Sequence, residues 1–464
     1  MWPRKVKNNS GGVLVMTLVF VMMFLVIFIG LSGMVSRSYH ETVLQAHDEL
    51  AFQIAEAGLN YARWRLAHDS DNFASEVRTV TDQFAGDLGD YSLTFTTPVP
   101  GSSVVNITST GTTAGQPTRQ FTVEARYGQP SLARFASVTN GDVWYGGQIS
   151  GAVHANGGIR MDGQSDSLMT SAQETYACQP IHGCNNPFEM KPGIWGGGTK
   201  QELWQFPAAS VNYAGITFDL LEMATAAQGT NTYYGPSDAG EFGYQVEFMD
   251  DNTYSISKVT ALGPSIWSWL SDTGWQYTSH DVGTVQLIEN KSVPSNGVIY
   301  VEDTVWVKGD IRDRVTLAAG DYNSNPPKDV DVILNGNISY DGIHDGTRVF
   351  SAVAKRHILI PWSGAPDTMI LDGAFIAQTG SFHRRYYPQG AMWGAEEHRL
   401  KTSMSRFGMI ASNDVPGTAW LNNGNVVSGF EQGQSSYDPN LLYGPPPYFP
   451  SSGTYEFISW EEQQ

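Results

Sequence analysis

The sequence has few cysteines and few basic residues. Its 464 residues include two cysteines, and 27 lysines and arginines stand against 46 aspartates and glutamates, which gives a formal net charge of −19. Phosphate binding needs clustered cations, so this balance argues against nucleic acid as a partner and against broad adhesion to anionic lipid. The hydrophobic fraction of 41% is ordinary, so a chain of this length can bury the cores of two or three domains.

The two cysteines, Cys178 and Cys184, lie close together in the stretch YACQPIHGCNNP. If this part of the chain lies outside the cytoplasm, we expect the two thiols to close a small loop as a disulfide. A metal site that also uses His182 is the alternative, but its three local ligands do not have the spacing of a zinc knuckle. Free thiols are the third interpretation. We predict the disulfide, and no metal ligand.

Signatures of catalysis are missing as well. The sequence contains no G-x-S-x-G, no Walker A, no H-E-x-x-H and no EF-hand spacing. The best enzymatic candidate is the charged run Asp310–Arg314, because β-helix polysaccharide lyases use calcium-binding aspartates and an arginine base. Solvated charges at a turn explain this run equally well. We predict no catalytic residue and no enzymatic activity.

Two acidic stretches could bind calcium through oxygen ligands. They are DGIHDG, with Asp341, His344 and Asp345, and MDGQSD, with Asp162 and Asp166. Asp-Gly pairs are also among the commonest turn formers, which explains both stretches without an ion. We expect no cofactor, with Ca²⁺ left as the alternative.

One basic and aromatic cluster, FHRRYYPQ, contains the run His383–Tyr387. Such a cluster could bind an acidic surface glycan or a partner subunit. An exposed loop without a binding role is the other interpretation.

The N-terminal region contains the longest apolar run. Arg4, Lys5 and Lys7 precede a segment over 13–35 without a single charge. As a helix this segment is about 34 Å long, enough to cross a bilayer core, and it is too long for a cleaved secretory signal. The basic flank predicts a single-pass membrane protein with a cytoplasmic N-terminus and the bulk of the chain outside the cytoplasm.

The helix is expected to continue beyond the membrane. Residues 36–68 contain no proline, and apolar residues recur at helical spacing. Residues 13–68 would form a rod of about 84 Å, which a simple anchor does not need. The predicted stripe consists of Tyr39, Val43, His47, Leu50, Ile54, Ala57, Tyr61 and Trp64.

These features resemble the N-terminal region of PilX-type minor pilins of type IV pilus systems. The resemblance covers about the first 70 residues and rests on Gly12 and Val13 before the apolar helix and on the block Leu50–Gly58, which contains Glu56. It implies a leader over 1–12, cleavage by a prepilin peptidase after Gly12, and an assembly helix over 13–68. It also implies other pilin subunits and the pilus assembly machinery as partners.

The assembly helix departs from the major pilins at one position. Major pilins carry a glutamate at the fifth mature residue, and Thr17 stands there in this chain. In the family that glutamate is thought to pair with the N-terminal amine of a neighbouring subunit, and a buried amine without its partner is costly. The resemblance therefore implies a position at or near the tip of a filament, or in its priming complex.

Beyond the helix the pattern changes from helical spacing to alternation. YSLTFTTP, VVNITSTG and TRQFTVEARY alternate apolar and polar residues, with turn residues between them. We expect these segments to form a small antiparallel sheet packed on the helix. The resulting domain is a pilin-like β head over 69–128.

The remainder is predicted to be β-rich, with a recurring motif of glycine, one residue, then an apolar residue. It occurs at Gly141, Gly151, Gly157, Gly309, Gly336, Gly373 and Gly408. We interpret this as a β-solenoid-like body over 129–175 and 286–430; a large sandwich is the alternative. Residues 176–285 are interpreted as an inserted cap with the cysteine loop, a short helix and a hairpin, and 431–464 as an extended tail rich in proline and aromatic residues. The predicted fold class is mainly β with one long N-terminal α-helix.

Two functions fit these features. The first is a structural minor pilin-like subunit with an enlarged β head, which serves at a filament tip, in priming or in adhesion. The second is a membrane-anchored β-helix protein that binds carbohydrate or acts on polysaccharide.

Overall fold

The computed structural model describes residues 10–68, 73–84, 86–96, 104–128, 131–185, 189–390, 396–422, 424–450 and 456–463. The basic flank at Arg4, Lys5 and Lys7 and most of the predicted leader lie outside these residues. The chain divides into two compact units. Unit 1 comprises Met1–Thr96, Val105–Gly128 and Phe457–Gln464, and unit 2 comprises Thr97–Val104 and Gln129–Glu456.

The helices are α1 (Ser10–His68) and α2 (Ile216–Gly229). The strands up to α2 are β1 (Glu76–Asp82), β2 (Gly86–Thr96), β3 (Val104–Thr113), β4 (Gln116–Gly128), β5 (Ser137–Thr139), β6 (Val143–Tyr145), β7 (Gln148–Ile149), β8 (Val153–Ala155), β9 (Ile159–Met161), β10 (Gln164–Ser165), β11 (Met169–Ser171), β12 (Thr175–Cys178), β13 (Glu189–Pro192), β14 (Ile194–Trp195) and β15 (Trp204–Gln205). The strands after α2 are β16 (Tyr233–Tyr234), β17 (Tyr244–Phe248), β18 (Thr253–Leu262), β19 (Ile266–Leu270), β20 (Gly274–Thr278), β21 (Val282–Ser292), β22 (Val298–Val301), β23 (Val305–Asp310), β24 (Arg314–Ala319), β25 (Val332–Ser339), β26 (Val349–Ala354), β27 (Ile358–Ile360), β28 (Thr368–Ala377), β29 (Phe382–Arg384), β30 (Leu400–Ser412), β31 (Ala419–Asn422), β32 (Asn425–Ser436) and β33 (Glu456–Gln463).

Unit 1 consists of α1 and one sheet with the strand order β1-β2-β3-β4-β33. The last strand comes from the C-terminal end of the chain, so unit 2 is inserted between two neighbouring strands of the unit 1 sheet. Phe52 on α1 contacts both sides of this junction, with ring centroids 5.1 Å from Phe121 on β4 and 6.3 Å from Trp460 on β33. The sequence interpretation of 431–464 as an extended tail is therefore wrong for β33, which completes the sheet, and for β32, which pairs along β30.

The second half of α1 packs on this sheet through a stripe that overlaps the predicted one. Of the predicted residues, Ile54 is buried, whereas Tyr39 is 73% exposed and Trp64 is 57% exposed. The other five are half-buried: Val43, His47, Leu50, Ala57 and Tyr61. The buried positions are Ala51, Ile54, Ala55, Gly58, Leu59, Ala62, Arg65 and Leu66. Half of these positions are alanine or glycine, which let the helix backbone approach the strands closely. The predicted stripe also included Tyr39 and Trp64, which are exposed.

Gly111 on β3 marks the closest approach between this sheet and α1. A Cβ atom at this position would lie 2.2 Å from the carbonyl oxygen of Ala51 and 2.5 Å from the amide nitrogen of Ala55. Both are backbone atoms of α1 and cannot move aside without shifting the helix. Glycine is therefore required here by packing.

Unit 2 is built on parallel pairing between strands that are not consecutive in the chain. One ladder has the order β16-β22-β24-β26-β28-β30-β5-β8-β11-β15. A second ladder has the order β17-β23-β25-β27-β29. Between β22 and β30 the first ladder links every second strand, so the chain visits the two ladders alternately. The largest apolar core of the unit contains side chains from both ladders.

The order of the first ladder differs from the order of the chain. The early strands β5, β8, β11 and β15 continue the ladder beyond β30, and the chain then returns to its other end at β16. The returning segment includes α2, whose Ile216, Leu220 and Met223 are buried against Val298 and Tyr300 of β22. The helix thus covers the face of the ladder that points away from the main core.

The glycine motif marks buried positions throughout unit 2. The apolar residue of every motif is at most 2% exposed: Val143, Val153, Ile159, Ile311, Ile338, Phe375 and Ile410. Gly373 and Gly408 are paired partners on β28 and β30, and both have positive φ. A Cβ atom at Gly408 would lie 1.9 Å from the carbonyl oxygen of Gly373. The two strands approach each other too closely there for any side chain.

Strands β5, β8 and β11 repeat every 16 residues, a spacing that the glycine motif alone does not predict. His154 and Thr170 are ladder neighbours at this separation and are hydrogen bonded at 2.9 Å, and Asp142 accepts a hydrogen bond from Gly158 N at the same separation. The repeat spans only three turns of chain, and the loops after β12 interrupt it.

The interpretation of 176–285 as a cap is only partly correct. The hairpin is present, with Phe248 opposite Tyr254 and Val246 opposite Ile256, and the helix lies within the predicted region. However, β14, β15, β16 and β17 each pair in parallel with strands of the body. This segment therefore supplies part of the body as well as covering it.

We expect Gly111→Ala to lower the free energy of unfolding of unit 1 by about 1–3 kcal/mol, because the added methyl group pushes α1 away from β3. The measurement is denaturant unfolding of the full chain, with hydrogen exchange of α1 amides as the local readout. Gly433→Ala on β32 is the matched control, because nothing lies within 4 Å of the added atom. Equal effects of the two substitutions would show that the close approach at Gly111 is not important.

Candidate functional site

The first half of α1 presents an apolar surface that the rest of the described chain does not cover. Every large hydrophobic residue from Val13 to Val35 is at least 49% exposed. The most apolar window of the helix has a mean hydropathy of 3.0 and is not buried within the protein. By length and composition, this helix can cross a membrane once. Such a surface must be covered by lipid or by apolar partner helices.

The residues predicted to take part in processing and assembly lie along this helix. Gly12 and Val13 lie in the first turn of α1, which begins at Ser10. The Thr17 hydroxyl donates to the carbonyl oxygens of Val13 and Leu14, at 2.9 and 3.0 Å. Thr17 is therefore satisfied within its own helix and brings no charge to the apolar surface. Glu56 is half-buried near the sheet of unit 1.

The end of α1 is held to the sheet by a buried arginine. The Arg65 guanidinium donates to a carboxylate oxygen of Glu76 at 3.0 Å and to the carbonyl oxygen of Ala74 at 2.7 Å. It also lies 4.4 Å from the centroid of the Phe95 ring. These contacts fix the last turn of the helix on β1 and β2, so the exposed apolar half continues from a firmly packed one.

The two cysteines are joined by a disulfide at the end of β12, with their Cα atoms 6.0 Å apart. His182 is buried between them in the sequence, and burial lowers the pKa of its ring. The carbonyl oxygen of His182 accepts a hydrogen bond from Arg160. With both sulfur atoms in the bond, neither offers a thiolate to a metal.

The charged run Asp310–Arg314 is engaged in structural contacts. Arg312 pairs with Asp341 at 3.0 Å, and Arg314 donates to the carbonyl oxygens of Gly346 and Pro445. Asp313 accepts the amide of Arg314 at 2.7 Å. These contacts secure a corner of the chain between β23 and β24.

The two calcium candidates are also occupied by protein donors. Asp162 accepts from Trp144 Nε1 at 2.9 Å and from Arg160 Nε at 2.7 Å, and Asp166 accepts from Gly151 N at 2.9 Å. Burial raises the pKa of Asp162, but its hydrogen bonds and Arg160 outweigh this and leave the pKa below its usual range. Within the described ranges, no group of three or more His, Cys, Asp or Glu residues has the geometry of a metal site.

The second calcium candidate is spread over separate contacts. Asp345 accepts from Thr347 N at 3.0 Å, and Asp341 faces Arg312. The His344 ring lies 4.0 Å from the Phe407 ring, and its Nε2 atom is 3.5 Å from Asp372. The three side chains therefore serve different neighbours.

The basic and aromatic run is part of the core of unit 2 and is not an exposed loop. Arg384 is fully buried and donates to the carbonyl oxygens of Trp362, His398 and Arg399. Arg385 is 3% exposed and donates to Ser268 Oγ at 2.8 Å and to Gln276 Oε1 at 2.9 Å. Both arginines of the cluster are therefore buried and hydrogen bonded to the protein itself.

His383 in the same run is 8% exposed, and its ring lies 5.2 Å from that of Trp420. Burial lowers its pKa to about 4, and the nearby His357 contributes in the same direction. The folded protein therefore holds this ring neutral.

A polar cleft that the sequence did not indicate lies beside Arg406 on β30. It has two adjoining parts, of about 270 and 830 Å³, and both are lined by Arg406, Gln148, Ser150 and Ser435. Strands distant in sequence meet here, and no local motif marks the site. The cleft can be recognised only from the pairing of β30 with β5 and β32.

Comparison with known proteins finds similarity among solved structures only. No family model matches the sequence, and no curated protein matches it. Among solved structures, the chain is similar to the competence-associated pilin ComZ from Thermus thermophilus, with 14% sequence identity, 90% of this chain and 97% of that chain covered, and a TM-score of 0.29. At this identity and TM-score, the superposition assigns neither fold nor function to the present chain.

We expect the purified, unreduced protein to take up no iodoacetamide at Cys178 or Cys184, and two equivalents after reduction, by intact mass. Replacing both cysteines by alanine should lower the free energy of unfolding of unit 2 by about 2 kcal/mol, because the short loop is no longer closed in the unfolded chain. Alkylation of the unreduced protein would contradict the pairing.

We also expect unit 2 to lose stability as the pH falls. The unfolded chain titrates His383 near its ordinary pKa, about 6.5, so the stabilisation is complete above that pH and is lost as the pH falls toward 4. The loss from this group between pH 7.5 and 5 is about 2 kcal/mol. Urea unfolding at the two pH values should show a smaller difference in His383→Gln than in the wild type, while the exposed His40→Gln should change nothing. An unchanged difference in His383→Gln would contradict the assignment.

Proposed function

We propose that the chain is a pilin-like filament subunit that is anchored in the membrane before assembly. The observation that carries this proposal is α1, a single helix whose first half is apolar and exposed and whose second half packs on its own sheet. Lipid covers the apolar half before assembly, and the equivalent helices of neighbouring subunits cover it afterwards. One surface thus serves both states.

The dimensions of α1 support this role over that of a simple anchor. A helix of 59 residues is about 88 Å long, whereas a bilayer core needs about 30 Å. No break separates the apolar half from the half fixed to the sheet by Arg65. A rigid connection of this kind transmits the packing of the helix to the position of the head.

We further propose a position at the tip of the filament or in its priming complex. Support comes from Thr17, whose hydroxyl bonds to its own helix and which provides no carboxylate for the amine of a neighbouring subunit. A subunit that presents no such acid fits best where no neighbour above it presents an amine. The PilX-type resemblance of the first 70 residues agrees with a minor subunit.

The body of unit 2 is proposed to be a β-solenoid. Its support is the pairing pattern, in which alternate strands join in parallel. Glycines with positive φ lie within several of these strands, at Gly309, Gly336, Gly373 and Gly408. A sandwich of antiparallel sheets does not require alternate strands to pair in parallel. A solenoid offers an extended surface, which suits an adhesive or display role at a filament tip.

We propose no catalytic role, because Asp310–Arg314 and the acidic stretches are engaged in structural contacts. The alternative of a membrane-anchored carbohydrate-binding protein is favoured by the polar cleft beside Arg406. For either role, we propose that the N-terminus is cytoplasmic and the bulk lies outside, where the disulfide between Cys178 and Cys184 persists.

The test is N-terminal processing of the full chain expressed with and without a prepilin peptidase, followed by mass spectrometry. We expect a mature chain that begins at Val13 and carries a modified amine only when the peptidase is present. Gly12→Leu should prevent processing, because a large side chain replaces the hydrogen at the cleaved bond. Gly11→Ala is the matched control and should be processed normally.

An intact Met1 in the presence of the peptidase, or a chain that starts beyond Val35, would contradict the filament proposal. The first result would favour a permanently anchored protein. The second would favour secretion of the head alone.

A further inference from the structure

An inward-facing column of apolar side chains in unit 2 ends at a cation. Ile338 on β25, Leu371 on β28 and Arg406 on β30 are successive partners in the parallel pairing, so their side chains point the same way. Ile338 and Leu371 are fully buried in the main core. The next partner in the column is Ser435 on β32. Arg406 therefore stands where an apolar side chain is expected.

The polar cleft forms because β30 pairs with different strands at its two ends. Its first part, Leu400–Phe407, pairs with β32, whereas Ile410–Ser412 pairs with β5. The cleft lies where the partner of β30 changes from β32 to β5. The two parts of the cleft share Arg406, Gln148, Ser150 and Ser435 as lining.

Arg406 has no carboxylate partner among the described residues. It donates to the hydroxyl of Ser435, and its Nε atom is buried without a hydrogen-bond partner. Burial lowers its pKa to about 10, so the guanidinium remains charged at neutral pH. Arg312 and Arg356, by contrast, pair with Asp341 at 3.0 Å and Asp331 at 2.6 Å. Arg384 and Arg385 also lack a carboxylate partner among the described residues, but each donates to several protein oxygens.

The lining of the cleft combines polar side chains with apolar surface, and it is mostly uncharged. Hydroxyl and amide groups line its larger part, together with the neighbouring rings of Phe407 and His344. The acid in the larger part, Asp372, accepts the amide of Tyr340 at 2.8 Å and lies beside His344. The hydroxyl and amide residues of this part are Gln148, Ser150, Ser339, Ser405, Gln434, Ser435 and Ser436.

We propose that this cleft binds a carboxylated saccharide, whose carboxylate pairs with Arg406 and whose hydroxyl groups bond to the serine and glutamine side chains. Arginine binds carboxylates with two parallel hydrogen bonds, and Nε is one of the donors suited to this. The aromatic rings offer an apolar face to the carbon-bound hydrogens of a sugar ring.

A nucleic acid fits this cleft less well. Affinity for a phosphate backbone requires several cations in a row. The residues that line the two parts of the cleft include one arginine, Arg406, and no lysine. This proposal concerns unit 2 alone and does not depend on filament assembly.

The test is calorimetric titration of the full-length protein in detergent micelles with trigalacturonate, and with its fully methyl-esterified form as the matched neutral ligand. We expect saturable binding of the acid and at least tenfold weaker binding of the ester. Arg406→Gln should weaken binding of the acid at least tenfold, with little change for the ester. Arg312→Gln is the control, since Arg312 already has a carboxylate partner, and it should bind like the wild type.

No binding of the acid at millimolar concentration, or equal binding of acid and ester, would overturn the proposal without any variant. Equal weakening by Arg312→Gln and Arg406→Gln would also overturn it. Titration with a single-stranded oligodeoxynucleotide distinguishes the alternative: binding of the oligonucleotide, lost in Arg406→Gln, without binding of trigalacturonate would assign the cleft to phosphodiesters. Failure of N-terminal processing would leave these results unaffected.

Discussion

The apolar half of α1 must be kept from water in every state of this protein. Its 13–35 segment has no charge and no cover from the rest of the described chain. At roughly 25 cal/mol per Å² of apolar surface, exposure of this segment to water is prohibitive. The helix therefore requires a lipid bilayer or a set of like helices, and the proposed role in a filament meets this requirement. The rest of unit 1 serves to hold the other half of the same helix.

Unit 1 is closed by a strand that comes from the far end of the chain. Since β33 lies beside β4, the sheet that packs on α1 is complete only after unit 2 has been synthesised. Unit 2 is thus an insertion with both ends in one small domain, not a C-terminal extension. Within it, parallel pairing brings β30 against β5, and this junction creates the cleft beside Arg406. The same principle, pairing of strands distant in sequence, accounts for both features.

Local patterns predicted the local structure well. Uncharged length and absence of proline predicted α1, alternation predicted the strands at Tyr91, Leu93 and Val105, and the glycine motif predicted buried residues such as Ile338 and Phe375. The packing face of α1 was predicted only in part, since the predicted stripe included the exposed Tyr39 and Trp64 and left out Ala51, Ala55 and Gly58. Close approach of backbones leaves its signal in small residues, which periodicity of hydrophobicity weighs too little.

Long-range features left no local signal. Nothing in the sequence near residue 456 indicates a partner near residue 116, and the burial of Arg384 depends on carbonyl oxygens from other loops. Arg406 could be recognised only from its column partners Leu371 and Ser435.

The most direct test of the central claim uses a photo-crosslinking residue in place of Phe24, which is 74% exposed on α1. Filaments are sheared from intact cells after irradiation, and the adducts are identified by mass spectrometry. The account predicts adducts with the N-terminal helices of other pilin subunits in the sheared fraction. Adducts with lipid and resident membrane proteins alone, with none of the chain in sheared filaments, would contradict it.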